Sequence, residues 1–353
     1  MLRVALVGNL ANVAYSRAKA LRQYTQIEAD LFVNSDEMRE PTSRPPESYG
    51  WIKPISAHQI PFGRTIAKRG LRKILRTYDL IESYCCQPTF VRDLGVPYVS
   101  YATGSDLREL ALENSAAGRR TRSIFEGARL IFFSLDAGHL EAIEKLHLGH
   151  AIPSRQVVDV EFFTPPASEP VLEEFTVFHP TNQLWIPRAQ QRFTKRNDIL
   201  FRGFARFLRN GSGRIGWLKR GPDAEATIKL IEELGISEHT TCWGATLPRN
   251  QLVEAYRQSH VVADQFQASC GLVALEAMSC GRAVLVHMYE NAYEERPPVL
   301  EATTEEEVCN GLRQALSPNF RKWLGKEARR FILKYHHPKT VAQELARHYA
   351  SIV

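Results

Sequence analysis

Short, continuous apolar runs recur along this chain, each followed by a stretch of helical periodicity, and that alternation constrains the fold more than any other feature. The first series is LRVALVG (2–8), ADLFVN (29–34), DLIES (79–83), PYVSY (97–101) and ARLIFFS (128–134). The second is FTVFHP (175–180), GRIGWLKRG (213–221), TTCWGA (240–245), HVVADQF (260–266) and AVLVH (283–287). Runs that stay apolar at consecutive positions suit strands buried on both faces, which means parallel sheets covered by helices. Patterns such as VAYSRAKALRQ, ILFRGFARFLRN and AEATIKLIEELGI supply the crossovers. A chain of 353 residues exceeds one ordinary core, so the expectation is α/β with two doubly wound domains. Prolines cluster at 165–170 and mark the boundary, giving domains of 1–165 and 171–335. Residues 336–353 are expected to form a terminal helix, broken off at Pro338, that crosses back onto the first domain.

The formal charge of +6 and pI near 9.0 favour anionic partners. With no zinc-finger spacing, no aromatic RNA-binding sheet and no basic tail, nucleic acid is not expected among them. No apolar run approaches the roughly 20 residues that span a bilayer. MLRVALVGNL reads as a first strand and its loop, not a secretory leader, so the expected compartment is the cytoplasm. Six cysteines show no ligand spacing, and Cys85-Cys86 are adjacent; core thiols in a reducing compartment are expected, with no metal site and no cofactor. One segment adds a peripheral contact. RTIAKRGLRKILRTY (64–78) interleaves Arg64, Lys68, Arg69, Arg72, Lys73 and Arg76 with Ile66, Leu71, Ile74 and Leu75. Such a basic amphipathic helix over 64–76 fits an anionic inner membrane face, or simply a solvated helix surface.

Chemistry concentrates in QASCGLVALEAMSCGRAVLVH (267–287). The pattern is loop, helix and strand, with Gly281 as the C-cap. The helix start at Cys270, Gly271, Leu272 and Val273 offers unpaired amides to a phosphate-bearing ligand. Glu276 lies about a turn and a half inside, facing either the same crevice or solvent. The loop after the first strand of the second series carries Arg188, Arg192, Lys195 and Arg196, a set suited to clamping a pyrophosphate. Gly244, in TTCWGA, is expected to line the same ligand side. In the first half, Gly8, Asn9 and Asn12 form a strand-to-helix loop that suits either a ligand contact or a plain tight turn. That loop has one glycine where a dinucleotide fingerprint needs three, which disfavours nicotinamide and flavin cofactors. Asp106 in ATGSDLREL suits a helix cap or a ligand hydroxyl.

These residues resemble GT-B fold glycosyltransferases of the retaining GT4 type, the glycosyl transferases group 1. GLVALEAMSCGRAVL matches that family's signature, IPSRQVVDVEFFTP resembles its interdomain segment, and Lys195 in FTKRND falls where its phosphate-binding lysine lies. The resemblance implies two Rossmann-like domains around a cleft, a nucleotide-sugar donor, and a glycan, lipid-linked or small-molecule acceptor. It implies that Glu276 accepts bonds from the ribose, that the helix start and Arg188 or Arg192 meet the diphosphate, and that Lys195, Arg192 and Asp106 serve catalysis. Attack on the donor's front face would retain configuration without a protein nucleophile. No Asp-x-Asp motif suggests an obligatory metal. Departures are Ala268, where the family carries an earlier glutamate, and Arg196, where it usually has glycine. Ala268 keeps two rivals open: a non-catalytic nucleotide-sugar binding protein and a GT-B fold nucleotide-sugar epimerase.

Overall fold

The computed structural model describes residues 1–55, 69–84, 89–168, 170–188, 193–267, 269–289 and 291–353. Strands β1 (Arg3–Val7), β2 (Glu28–Asn34), β3 (Ile52–Ile55), β4 (Leu80–Tyr84), β5 (Tyr98–Ala102), β6 (Leu130–Phe133) and β7 (Ala151–Pro153) form a parallel sheet in the order β3-β2-β1-β4-β5-β6-β7. Strands β8 (Thr176–His179), β9 (Arg214–Trp217), β10 (Thr240–Cys242), β11 (Val261–Ala263), β12 (Ala283–Val286) and β13 (Leu300–Glu301) form a second, in the order β10-β9-β8-β11-β12-β13. All ten expected strands are present. The three that the sequence pattern missed, β3, β7 and β13, lie at sheet edges. Two of them carry a proline, Pro54 and Pro153, which an edge strand tolerates and which breaks the pattern of a buried one.

The chain divides into two compact units, Met1–Val157 with His336–Val353, and Val158–Tyr335. The first therefore ends at Val157, not at 165. Val158, Val160 and Phe163 are buried in the second unit's core with Phe178, Tyr256 and Met278, so the proline cluster falls inside that unit. The apolar packing of three side chains outweighs the punctuation of the prolines. The last helix, Pro338–Ala350, starts with proline at a position where no backbone donor is needed, and the His337 side chain accepts from the Lys339 amide at 3.1 Å. It buries Val341, Ala342, Leu345 and Tyr349 in the first unit beside Ala14, Ala18 and Leu21 of the helix Val13–Tyr24.

A buried ion pair fixes that arrangement. Arg17 Nη1 donates to Glu82 Oε1 at 2.6 Å, with neither side chain exposed, and Nη2 donates to Ser154 Oγ at 2.5 Å. Tyr84 donates to the same Glu82 oxygen at 2.7 Å, and Tyr349 of the last helix donates to Oε2. The Arg17 guanidinium lies 4.4 Å from the Tyr101 ring centre and 5.2 Å from that of Phe132. Burial works against its charge, but Glu82 more than offsets that and holds it protonated. Of the membrane-facing candidate helix 64–76, only the part from Arg69 lies within the described residues. There the helix Arg69–Leu75 buries Leu71 and Leu75 and exposes Ile74.

Removing one member of a buried pair leaves the other unpaired, at a cost of about 3–5 kcal/mol. Urea denaturation of Glu82→Ala is expected to show a loss of that size. Tyr349→Phe, which removes one bond to a charged group, should cost about 1.5–3 kcal/mol. A Glu82→Ala protein as stable as the parent would remove the pair's role.

Candidate active site in the second unit

Strand order reverses at β8, which lies between β9 and β11, and a crevice at the carboxyl ends of β8 and β11 follows from that reversal. Two loops emerge there, with described residues 180–188 and 193–197 after β8 and 264–267 and 269–271 after β11. They are joined by hydrogen bonds at several points. Buried Asp264 accepts from Thr181 Oγ1 at 2.8 Å through Oδ1 and from the Gly271 amide at 2.6 Å through Oδ2. The Phe266 amide donates to the Lys195 carbonyl at 2.8 Å, and Thr194 Oγ1 donates to Gln267 Oε1 at 2.9 Å. At the base, fully buried His179 donates from Nδ1 to the Ala263 carbonyl at 2.9 Å and accepts at Nε2 from Asn197, also at 2.9 Å. Burial pushes the His179 pKa down to about 4, and the nearby Lys195 charge works in the same direction, so the ring is neutral. Asn197 in turn accepts the Leu184 amide at 2.8 Å.

The helix Leu272–Ser279 follows directly. Its N-cap, Gly271, is extended and brings no side-chain cap, so Asp264 takes the Gly271 amide while the first-turn amides after it have no capping side chain. The other end closes as expected. Gly281, at φ +68°, lets its own amide reach the Met278 carbonyl at 3.0 Å and that of Arg282 reach Ala277 at 3.1 Å, a Schellman ending. Glu276 is half-buried and accepts from Tyr256 Oη at 3.0 Å. Burial raises its pKa to about 7; Arg249 and the Tyr256 bond oppose the rise, while Asp264 and Asp159 add to it. Burial likewise pushes the Cys270 thiol up to about 12, so it is no nucleophile at neutral pH.

The expected cations separate. Lys195 is half-buried on the joined loop, its amide donating to Leu184 at 2.5 Å. Arg188 instead pairs with Asp223, which is buried and also accepts the Trp185 and Ile186 amides at 2.7 and 2.9 Å. Burial works against ionised Asp223, yet these bonds hold it below the usual carboxylate range. Arg188 thus braces its own loop. Arg192 and Ala268 lie outside the described residues. Gly244 is exposed beyond β10, beside a partly exposed Trp243 whose ring lies 5.1 Å from Phe178.

In the first unit, Gly8 has φ +97°, and a Cβ there would come within 3.1 Å of the Tyr84 carbonyl. Asn9 is fully buried: its side chain donates to Asn12 Oδ1 at 2.8 Å and the Ser43 carbonyl at 2.5 Å and accepts the Tyr15 amide at 2.8 Å. Asn12 donates to the Thr42 and Arg44 carbonyls at 2.9 and 3.1 Å. These amides brace the loop at 42–44. Asp106 accepts from the Thr103, Gly104 and Leu107 amides at 2.8–3.1 Å, so its carboxylate serves its own turn. Sequence reasoning missed Asp264 and Tyr256. Asp264 is visible in the sequence only as a polar break after VVA, and nothing in the spacing links Tyr256 to Glu276.

Two doubly wound units, the second with a joined crevice at its switch point, define a GT-B fold. Residues 211–295, which run from β9 past β12, match the family described as glycosyl transferases group 1. Over 139 residues the chain is 34% identical to the D-inositol 3-phosphate glycosyltransferase of Mycolicibacterium smegmatis, covering 36% of this chain and 30% of that protein. The corresponding protein of Nocardia farcinica is 38% identical over 100 residues, 26% of this chain and 22% of the relative. The matched stretch thus spans less than a third of either relative. Among solved structures, the sucrose-phosphate synthase of Thermosynechococcus elongatus superposes with a TM-score of 0.72 at 16% identity, covering 99% of both chains. Anabaena HepE in complex with UDP-glucose gives 0.72 at 14% identity, covering 99% of this chain and 100% of that one. At these identities the structures share a fold.

Arg196 stands at φ +52°, in the left-handed region where a side chain costs about 1–2 kcal/mol. Its contact with Asp198, 3.7 Å at a half-exposed site, is too weak to offset that. Arg196→Gly is therefore expected to raise the melting temperature, by about 1–3 °C for a gain of up to about 1 kcal/mol. A lower melting temperature would show that the Arg196 side chain stabilises the loop.

Proposed function

We propose that the protein transfers a sugar, with retention of configuration, from a nucleotide-diphosphate-sugar to a hydroxyl of a glycan, lipid-linked or small-molecule acceptor. The observation that carries this reading is the joined crevice. Hydrogen bonds tie the Lys195 loop to the loop that opens the Leu272–Ser279 helix, whose first-turn amides have no capping side chain, with Glu276 half-buried behind them. A helix start and a cation suit a diphosphate, and a carboxylate suits a ribose diol. The group 1 match and the nucleotide-sugar bound by the Anabaena neighbour support the same class of donor.

In this reaction the bond between the sugar's anomeric carbon and the diphosphate breaks as the acceptor oxygen bonds to that carbon from the same face. A donor phosphate oxygen takes the acceptor's proton, and the nucleoside diphosphate leaves. The chain's task is then positioning and neutralising the growing negative charge. Lys195 and the helix amides stabilise the leaving diphosphate, and Glu276 holds the ribose. We assign no obligatory metal to the reaction, because the sequence carries no Asp-x-Asp motif. Among the described residues no helix is long and apolar enough to cross a membrane. We place the protein in the cytoplasm; the basic segment 64–76 suits either an anionic lipid surface or an ordinary solvated helix face.

Calorimetry with UDP, GDP and their sugar conjugates, with and without EDTA, tests the donor. Binding unchanged by EDTA is expected, and binding lost on chelation would overturn the metal-free reading. In steady-state kinetics, Glu276→Ala should mainly raise the donor KM, by an amount matching about 1.5–3 kcal/mol, because ribose contacts are alike in ground and transition states. Lys195→Ala should lower kcat by about a hundredfold or more, because charge grows on the leaving group. A Glu276→Ala protein with the parent's KM and kcat would leave that carboxylate without a role.

The lipid contact has its own measurement. Vesicles rich in anionic lipid should retain the protein at low salt and release it at high salt. Equal retention by neutral vesicles would exclude an electrostatic contact.

A further inference from the structure

Glu276 does not stand alone in its crevice. Tyr256, in the helix Arg249–Arg257, is fully buried, with its ring 6.0 Å edge-on from Phe178 and 6.2 Å from Phe163. Its hydroxyl donates to Glu276 Oε2 at 3.0 Å. The remaining charged and titratable groups around Glu276 come from three other places and from the same helix. Arg249 lies on the Tyr256 helix, 3.5 Å from Asp159 and over the Phe162 ring at 4.2 Å. Asp264 follows β11, Asp159 lies in the segment that opens the second unit, and Cys280 ends the Glu276 helix. Among them Tyr256 is the one bonded to the carboxylate in the described hydrogen bonds.

We propose that Tyr256 is the positioning residue for nucleoside recognition: it holds one oxygen of Glu276 in a fixed bond, so that the other oxygen meets the ribose diol of the donor. The inference rests on the donor-site reading above. A carboxylate has about four acceptor positions, so the phenol restricts its rotation without exhausting it. The bond also favours the ionised form. Burial raises the Glu276 pKa to about 7, and the Tyr256 bond opposes that rise. A diol donates both its protons best to a carboxylate, so binding should weaken as the pH falls through this value. Removing the hydroxyl takes a donor from the anion, favours the acid, and moves that limb to higher pH.

The test uses UDP-glucose and GDP-mannose, whose diphosphates do not titrate near neutrality, and the conjugates of the same bases with deoxyribose. Dissociation constants are measured for the full chain from about pH 5.5 to 8.5, bracketing the Glu276 transition. Tyr256→Phe keeps the packed ring. It should weaken the ribose conjugate by about fivefold at neutral pH, weaken the deoxyribose conjugate less, and shift the acid limb upward. Glu276→Gln keeps an oxygen for Tyr256 but cannot ionise, and should abolish the limb. An unmoved limb with equal effects on ribose and deoxyribose conjugates would overturn the role of Tyr256 while leaving the donor site in place. A limb that survives in Glu276→Gln would overturn it too. Failure of the parent protein to bind either conjugate would remove the donor-site reading, and this inference with it.

Discussion

The first unit is organised around one charge pair that water never reaches. Arg17 and Glu82 are both fully buried, and bringing two charges out of water is costly unless their remaining bonding positions are filled. Most are filled from across the unit: Ser154 follows β7, Tyr84 ends β4, Tyr349 comes from the last helix, and Tyr101 and Phe132 on β5 and β6 give the guanidinium aromatic faces, while Arg17 Nε alone of the guanidinium nitrogens is buried without a hydrogen-bond partner among the described residues. A helix that begins 256 residues after Glu82 is thereby held by a carboxylate in the middle of the sheet, since 338 less 82 is 256. An apolar cluster could bury the same area, but it would fix the register of that helix less sharply than directional bonds to one carboxylate do.

The second unit uses the same device at its crevice, with a single buried carboxylate. Asp264 joins the loop after β8 to the first residue of the Glu276 helix. Its charge also helps to raise both the Glu276 and the Cys270 pKa. The crevice therefore brings a helix start without a capping side chain and Lys195 close to a buried carboxylate. Arg188 does not join them, since Asp223 already engages it.

Much of this architecture is legible in the amino-acid pattern. Most of the ten runs form strands buried on both faces, which have no choice but to be apolar throughout, whereas β10 is a largely exposed edge strand. Gly271 and Gly281 bound the Glu276 helix as expected, and the positive φ at Gly281 is the kind of ending that leaves a glycine signature in the sequence. β3 and β7 escape the pattern because they are short edge strands that carry prolines, and β13 because it is only two residues long. The expected unit boundary is misplaced because prolines are visible in a sequence, while the burial of Val158, Val160 and Phe163 depends on partners far along the chain.

Side-chain roles divide along the same line. Which residues could bind a diphosphate or a ribose follows from residue type and from their place after a strand. Which of them stay available to do so is decided by neighbours that sequence spacing cannot reveal. Asn9, Asp106 and Arg188 all have suitable chemistry, and each is engaged by groups of its own unit, the farthest 35 residues away, the difference between 223 and 188. The local sequence set the periodicity, the turns and the helix ends, since those depend on backbone preferences within a few residues. Tertiary structure decided the hydrogen-bond partners and the degree of burial, and so the charge state of Glu276, because desolvation and directional bonding depend on what the whole fold brings within a few ångströms.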